Sequence, residues 1–299
     1  MKRYKKEAGG ILEVGQILYT KHFKLTVDRE RCTGCELCSL ACPRSAISLI
    51  SADTTVGSAS APLVDVDEDK CDFHGICAAI CPFGAIKIKI NGEETLPAVD
   101  KESFPVLERD IRINSGLCKP GCKKCEEICP LGIIKVSENG DGTVKVSETG
   151  GVTVVDVHKE QCAGCRICWM ECPDNAIEVS KFIEGSITIE TTACPAGCRN
   201  CVDICPVKAL AQDDGGMVYA KDMYCIYCGA CLQVCPADGA LNVKRTSVRS
   251  TGKDSGAWHK ALEKLTSAEG LARELAAKRT YKTQAEAEEL SAKPGVNGE

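Results

Sequence analysis

The chain's 299 residues carry a formal net charge of −5 and only 4 % are aromatic, which excludes aromatic-rich cores and argues against a nucleic-acid partner. Cysteine stands out instead, with 23 residues. Disulfides need an oxidising compartment, yet the basic start MKRYKKEAGG leads only into the short run ILEVGQILY, with no small-residue cleavage site. No stretch approaches the ~18 apolar residues of a membrane span, so a cytoplasmic location is expected. Zinc sites present cysteines in pairs, whereas here they come as close triplets with a fourth cysteine before proline. That spacing selects iron–sulfur chemistry.

Residues 1–21 read as an extension free to wrap a neighbour. From residue 22 one unit recurs six times. FKLTVDRERC leads into the first cysteine run and AISLI follows it; PLVDVDEDKC and AIKIKI flank the second, DIRINSGLC and GIIKVS the third. VTVVDVHKEQC and AIEVS flank the fourth, SITIETTAC and ALAQ the fifth, GMVYAKDMYC and ALNV the sixth. Apolar alternation with Val, Ile and Thr predicts short strands on both sides. The close cysteines fall on a loop, and the last lies on a short helix such as ELCSLACP. SADTTVGSASAP (51–62) and SENGDGTVKVSETGG (137–151) read as loop insertions.

The runs CTGCELCSLACP, CAGCRICWMECP and CIYCGACLQVCP resemble the signature C-x2-C-x2-C-x3-C-P of bacterial-type two-cluster ferredoxins. The resemblance spans residues 22–244 and implies an α+β fold of three tandem two-cluster modules, since only sequential pairing leaves no unit without a partner. The expected divisions are an extension (1–21), modules at 22–95, 96–181 and 182–244, and a linker with a helical tail (245–299). In this family the first three ligands of one unit and the fourth of its partner hold each cluster. The resemblance therefore implies six clusters. The first set is Cys32, Cys35, Cys38 and Cys81; the second is Cys71, His74, Cys77 and Cys42. Then come Cys118, Cys122, Cys125 with Cys172, and Cys162, Cys165, Cys168 with Cys129. The last two are Cys194, Cys198, Cys201 with Cys235, and Cys225, Cys228, Cys231 with Cys205. All 23 cysteines are used, and His74 completes the ligands. Soft thiolates suit sulfur-bridged iron. Loaded with five sites of −2 and one of −1, the protein would carry about −16.

His74 stands where CDFHGICAAICP lacks its second cysteine. One reading is a [4Fe–4S] cluster with an imidazole ligand, whose potential is raised as in Rieske centres. Another is a [3Fe–4S] cluster beside which His74 is a polar loop residue; a lost site is the third. Asp72 is close enough in sequence to be an alternative ligand. CKPGCKKC and CPAGCRNC carry an extra residue, which Gly121 and Gly197 are expected to absorb with φ > 0 beside Pro120 and Pro195. Lys123, Lys124 and Arg199 read as solvated charge, with a role in raising cluster potential as the sharper alternative. Trp169, Phe83 and Tyr227 read as core packing.

In the tail, RTSVRSTGKDSG reads as a linker. Trp258, Leu262 and Leu265 form one apolar stripe, Leu271 and Leu275 another, and Thr266 with Glu269 has capping-box spacing. Such a stripe docks on the ferredoxin body or on another subunit. No nucleophile triad, phosphate loop, or flavin or nicotinamide fingerprint accompanies the cysteines, so no catalytic residue is assigned. A catalytic open iron site at His74 would need an acid, base or pocket motif, and none is present.

CDFHGICAAICPFGAIKI, FPVLERDIRIN and KKCEEICPLGII resemble the polyferredoxin subunits of formylmethanofuran dehydrogenase from methanogenic archaea. That resemblance covers about the first half of the chain. It implies a row of clusters passing electrons to or from a tungsten or molybdenum subunit that reduces CO2. The alternative is an electron-transfer linker of a hydrogenase or heterodisulfide reductase complex.

Overall fold

A computed structural model describes residues 1–50, 54–57, 60–119, 121–137, 154–252 and 254–267. Six strand–loop–helix–strand units pair in chain order. In the first pair, β1 (Lys2–Ala8), β2 (Ile11–Ile17) and β3 (His22–Asp28) precede the first cysteines. Then follow α1 (Leu37–Ala41), β4 (Ile47–Ile50), β5 (Leu63–Val66), α2 (Ile76–Ala79), β6 (Ile86–Ile90), the short β7 (Glu93–Glu94) and α3 (Pro97–Asp100). The outer strands β3 and β6 pair antiparallel, and so do the inner strands β4 and β5.

The second pair has β8 (Val106–Leu107), β9 (Ile111–Ile113), α4 (Lys124–Ile128), β10 (Ile134–Ser137), β11 (Val154–Val157), α5 (Ile167–Met170) and β12 (Ile177–Val179). Its outer strands β9 and β12 pair, and so do β10 and β11. In the third pair, β13 (Ile183–Ile189), α6 (Asn200–Asp203), β14 (Leu210–Gln212), β15 (Val218–Ala220), α7 (Ala230–Val234) and β16 (Leu241–Val248) repeat the plan. There β13 pairs with β16 and β14 with β15. The alternation read from the sequence drives this: in β6, Ile86 and Ile88 are buried while Lys87 between them is exposed.

The expected extension at 1–21 is instead part of the first pair's sheet. Strands β1 and β2 form a hairpin that pairs through β2 with β3, giving the order β1-β2-β3-β6-β7. Gly9 and Gly10, both at positive φ, make the two-residue turn. Leu12 and Val14 are at most 1 % exposed, so this hairpin carries core residues. Across it, Tyr4 lies over Gly15, where a Cβ would collide with the ring.

The expected boundary at 244/245 also falls inside structure. β16 runs to Val248, and β17 (Ser250–Thr251) pairs with β8, so the polar linker is held in a ladder. The helix α8 (Gly256–Thr266) then docks on the body rather than extending to another subunit. Trp258, Ala261 and Leu265 are buried, and Trp258 meets Phe104 edge-on with 5.2 Å between ring centroids. Thr266 does not begin a second helix; it closes this one, its Oγ1 donating to the Leu262 carbonyl. Glu269, Leu271, Leu275 and most of the 137–151 insertion lie outside the described residues. Among the described residues no helix is long and apolar enough to cross a membrane.

Candidate metal centres

The shorter loops bend because the backbone turns left-handed on both sides of the second ligand position. Gly34 and Glu36 flank Cys35 at φ 65° and 71°, Gly164 and Arg166 flank Cys165 at 72° and 66°, and Tyr227 and Gly229 flank Cys228 at 52° and 91°. Such angles are uncommon for residues other than glycine, so the repetition marks a backbone wrapped round something. The longer loops differ as expected, with Gly121 and Gly197 at φ 76° and 72° before the second cysteine.

The loops and partner helices surround hollows. One is lined by Cys32, Cys35, Cys38 and Cys81, a second by Cys129, Cys162, Cys165 and Cys168. A third is lined by Cys194, Cys198, Cys201 and Cys235, a fourth by Cys205, Cys225, Cys228 and Cys231. A fifth has Cys42, Cys71, His74 and Cys77. Cys118, Cys122, Cys125 and Cys172 also gather: after burial, the charge of Cys172 is the next influence raising the Cys118 thiol. Each of these groups takes three residues from one unit and one from its partner. We name the sets by their second-position residue.

A cuboid cluster fits these donors. Among the described residues no three His, Cys, Asp or Glu side chains converge as they would on a single metal ion; the sulfurs stand around a hollow instead. No cysteine forms a disulfide among the described residues. Backbone amides already aim at sulfur: those of Ala46, Ala85, Ala176 and Ala209 donate to Sγ of Cys42, Cys81, Cys172 and Cys205 at 3.2–3.4 Å. Burial pushes the thiols of Cys125 and Cys165 up to about 11, and those of Cys201 and Cys228 up to about 12. Without iron these groups are neutral thiols, so binding of iron must release their protons.

Residues 31–85 and 117–176 match one 4Fe-4S dicluster domain model, and 193–241 match a second. A ferredoxin of Methanothermococcus thermolithotrophicus is 37 % identical over 60 residues, covering 20 % of this chain and 98 % of that protein. The chain belongs to the 4Fe-4S dicluster ferredoxins. A tetrathionate reductase subunit of Archaeoglobus fulgidus is 36 % identical over 96 residues, 28 % of this chain and 45 % of that subunit. This ferredoxin thus spans less than half the length of that relative. One chain of the formate dehydrogenase–heterodisulfide reductase–formylmethanofuran dehydrogenase complex from Methanospirillum hungatei superposes with a TM-score of 0.76 at 32 % identity, covering 89 % of this chain and 91 % of that one. The ferredoxin is accordingly an iron–sulfur electron-transfer chain.

His74 sits in this ferredoxin as a cysteine would. Phe73 and Gly75 flank it at φ 56° and 86°, the same left-handed pair found around Cys35, Cys165 and Cys228. The amide of Ile76 donates to His74 Nδ1 at 3.3 Å, just as the amides of Leu37, Ile167 and Ala230 serve those cysteines. Burial holds the imidazole below its ordinary pKa against the pull of Asp72, which favours the neutral, ligating form. Helix α3 closes over the loop, the Ala98 amide donating to the His74 carbonyl at 2.8 Å. Asp72 is half-exposed and ion-paired to Arg44 at 3.0 Å, which occupies it at the rim.

Phe83 and Tyr227 are core residues, while Trp169 is only half-buried and carries Arg166 over its ring. Lys123, Lys124 and Arg199 are exposed, and Arg199 pairs with Asp203. Other cations lie beside the sets, among them Arg109, Lys181 and Arg245. Arg109 donates to the carbonyls of Cys81, Pro82 and Cys162. Sequence reasoning missed all three. A signal existed for Arg245, since strict alternation in LNVKRTSV places it on the inward face with Leu241 and Val243.

Proposed function

We propose that the chain is a six-cluster electron-transfer subunit built as three two-cluster modules, passing electrons to or from a tungsten or molybdenum formylmethanofuran dehydrogenase. The observation that carries this is the crossed cysteine sets lining partly open hollows, joined to a structural match along nearly the whole chain. The 23 cysteines and His74 would hold the clusters, which when bound supply one-electron transfer. The chain's own part is to fix their spacing, exclude water and set their potentials through ligand, charge and burial. Cys42, Cys71, Cys77 and His74 would hold the one mixed set. A second reading, a linker within a heterodisulfide reductase or hydrogenase complex, is favoured by the presence of heterodisulfide reductase in the same matched assembly.

Anaerobic purification from the native source, with mass spectrometry of everything bound, tests the partner. Copurifying formylmethanofuran dehydrogenase subunits support the first reading. Heterodisulfide reductase or hydrogenase subunits alone support the second, and an unrelated oxidoreductase removes both. For His74, replacement by Cys should lower the midpoint of one cluster and leave the others in place. An unchanged set of midpoints would mean that His74 does not ligate.

A further inference from the structure

One ligand set from each of the three repeat pairs lies where the pairs meet, bridged by side chains that reach the ligands' own carbonyls. Arg109 bridges the first and second pairs: its guanidinium donates to the carbonyls of Cys81, in the Cys35 set, and of Cys162, in the Cys165 set. Arg245 lies between the first and third. Only 4 % exposed, it donates to the carbonyls of Tyr227 and Cys228 at 2.8 and 2.7 Å. A Cβ at Gly229 would stand 2.8 Å from its Nη2 and 3.9 Å from the Cys35 carbonyl oxygen. Glu36, next to Cys35, accepts from Gln233 of α7 at 3.0 Å. The second and third pairs touch through Tyr224, one residue before Cys225, whose hydroxyl donates to Glu171, which follows the helix carrying Cys168 of the Cys165 set and precedes Cys172 of the Cys122 set. Lys181, 4 % exposed, donates to the Asp222 carbonyl at 2.9 Å and lies over the Tyr227 ring at 4.7 Å.

Two of the other three sets have hollows lined within their own pairs, and among the described residues only Asn200, beside Cys201 of the Cys198 set, reaches out from them, bonding Thr54, Thr55 and Gly57 of the first pair's insertion. The His74 hollow is lined only by residues 25–88 and the Cys198 hollow only by residues 189–241. Each outer set adjoins the inner set of its own pair. The ligand-bearing helices of each pair, α1 with α2, α4 with α5 and α6 with α7, pack against each other.

We propose that this chain is a three-way electron junction, in which the Cys35, Cys165 and Cys228 sets form a hub and the His74, Cys122 and Cys198 sets are its three ends. A single-file wire in chain order would carry every electron from the first pair to the third through the second. Here the Cys35 and Cys228 sets adjoin directly. One electron enters at one end from a docked one-electron donor and leaves at another to a docked one-electron acceptor, with no bond made or broken. Arg245 is a positioning residue: its fixed charge acts on two sets at once and favours their reduced, more negative states. Glu36 opposes it from the same spot. This inference rests on the six-cluster reading above.

The test is potentiometric EPR on the full, iron-loaded chain as wild type, Arg245→Gln, Arg245→Lys and Glu36→Gln, with iron and sulfide counted first. If the wild type lacks six clusters, the six-cluster reading fails before the junction is addressed. With six present, Arg245→Gln should lower two midpoints together, Arg245→Lys should restore them, and Glu36→Gln should raise the same two. Should Arg245→Gln not load, the Glu36→Gln titration decides alone. A shift in only one midpoint, or in none, overturns the junction. A second readout comes from Cys162→Ala/Cys165→Ala/Cys168→Ala, which empties the set that a single-file wire requires. Spin–spin broadening between the remaining reduced sets of the first and third pairs should survive it; its loss overturns the proposal.

Discussion

The first and second repeat pairs carry the same motif and are insulated very differently. In the first, Cys38, Cys42, Cys71, Cys77 and Cys81 are all buried. In the second, only Cys168 is, and the other seven are partly exposed. The core of the second pair is a small cluster around Ile111, Ile133, Ile134, Ile177 and Val179. The first pair shares a continuous core with the third, and to it are added the β1–β2 hairpin, α3 and the docked α8. The cysteine motif therefore fixes the ring of ligands, and segments outside the motif decide how much water reaches it.

The largest expected effect is that of removing iron. The ligands are spread through every core, and the metal supplies much of the folding free energy in such small domains. Anaerobic chelation should abolish most native circular dichroism. Retention of native-like signal would refute the dependence. Alkylation followed by mass spectrometry should label Cys118, Cys122 and Cys125 well before Cys38, Cys71 and Cys77; equal rates would erase the contrast between the pairs. The iron-free chain also has a defined pH response. Burial raises its folded thiols, that of Cys165 to about 11 and that of Cys228 to about 12, against about 8.5 unfolded. Keeping them neutral favours the folded state fully below the unfolded value, and this is lost as pH rises through the folded values. Any residual structure should melt at lower urea at about pH 10 than at about pH 7.

What the sequence disclosed follows from what each signal depends on. Cysteine spacing depends only on local loop geometry, so the six units were legible without coordinates, whereas their crossed grouping came only with the ferredoxin resemblance. Strand alternation was legible for the same reason. The hairpin at 1–21 has its own short-range signal, Gly9-Gly10 between the runs KRYKKEA and ILEVGQI, which an expected free extension ignores. The junction was not legible. Arg109 and Lys181 lie outside the cysteine runs, and their contacts depend on how whole pairs dock, which no short-range pattern encodes. The docking of α8 was half legible, because a stripe names a buried face without naming what buries it.

Two substitutions should narrow the gap between the pairs. Trp258→Ala removes the aromatic that anchors α8 beside α1, at a cost of about 3–5 kcal/mol. It should speed alkylation of Cys38 toward the rates of the second pair while leaving Cys118 unchanged. Leu12→Ala, in the hairpin, should cost about 2–5 kcal/mol and loosen the first pair's sheet. If neither changes the order of labelling, the insulation comes from the ligand loops themselves.

The smallest effect separates two roles of one side chain. Ser255 caps α8, its Oγ accepting from the Trp258 amide at 3.1 Å, and it also donates to the Ser103 carbonyl at 2.6 Å. Ser255→Ala should cost about 1 kcal/mol, as loss of a helix cap does, whereas glycine at such a position costs only a few tenths. Both substitutions remove the bond to Ser103, so their ratio reads what matters. If alanine is clearly worse than glycine, by chemical denaturation of the iron-loaded chain, the cap dominates and α8 owes its place mainly to Trp258. If the two cost the same, the Ser103 bond dominates. The helix is then tied to the segment that runs from α3, over the His74 loop, to β8, and the first pair's insulation is one connected cover.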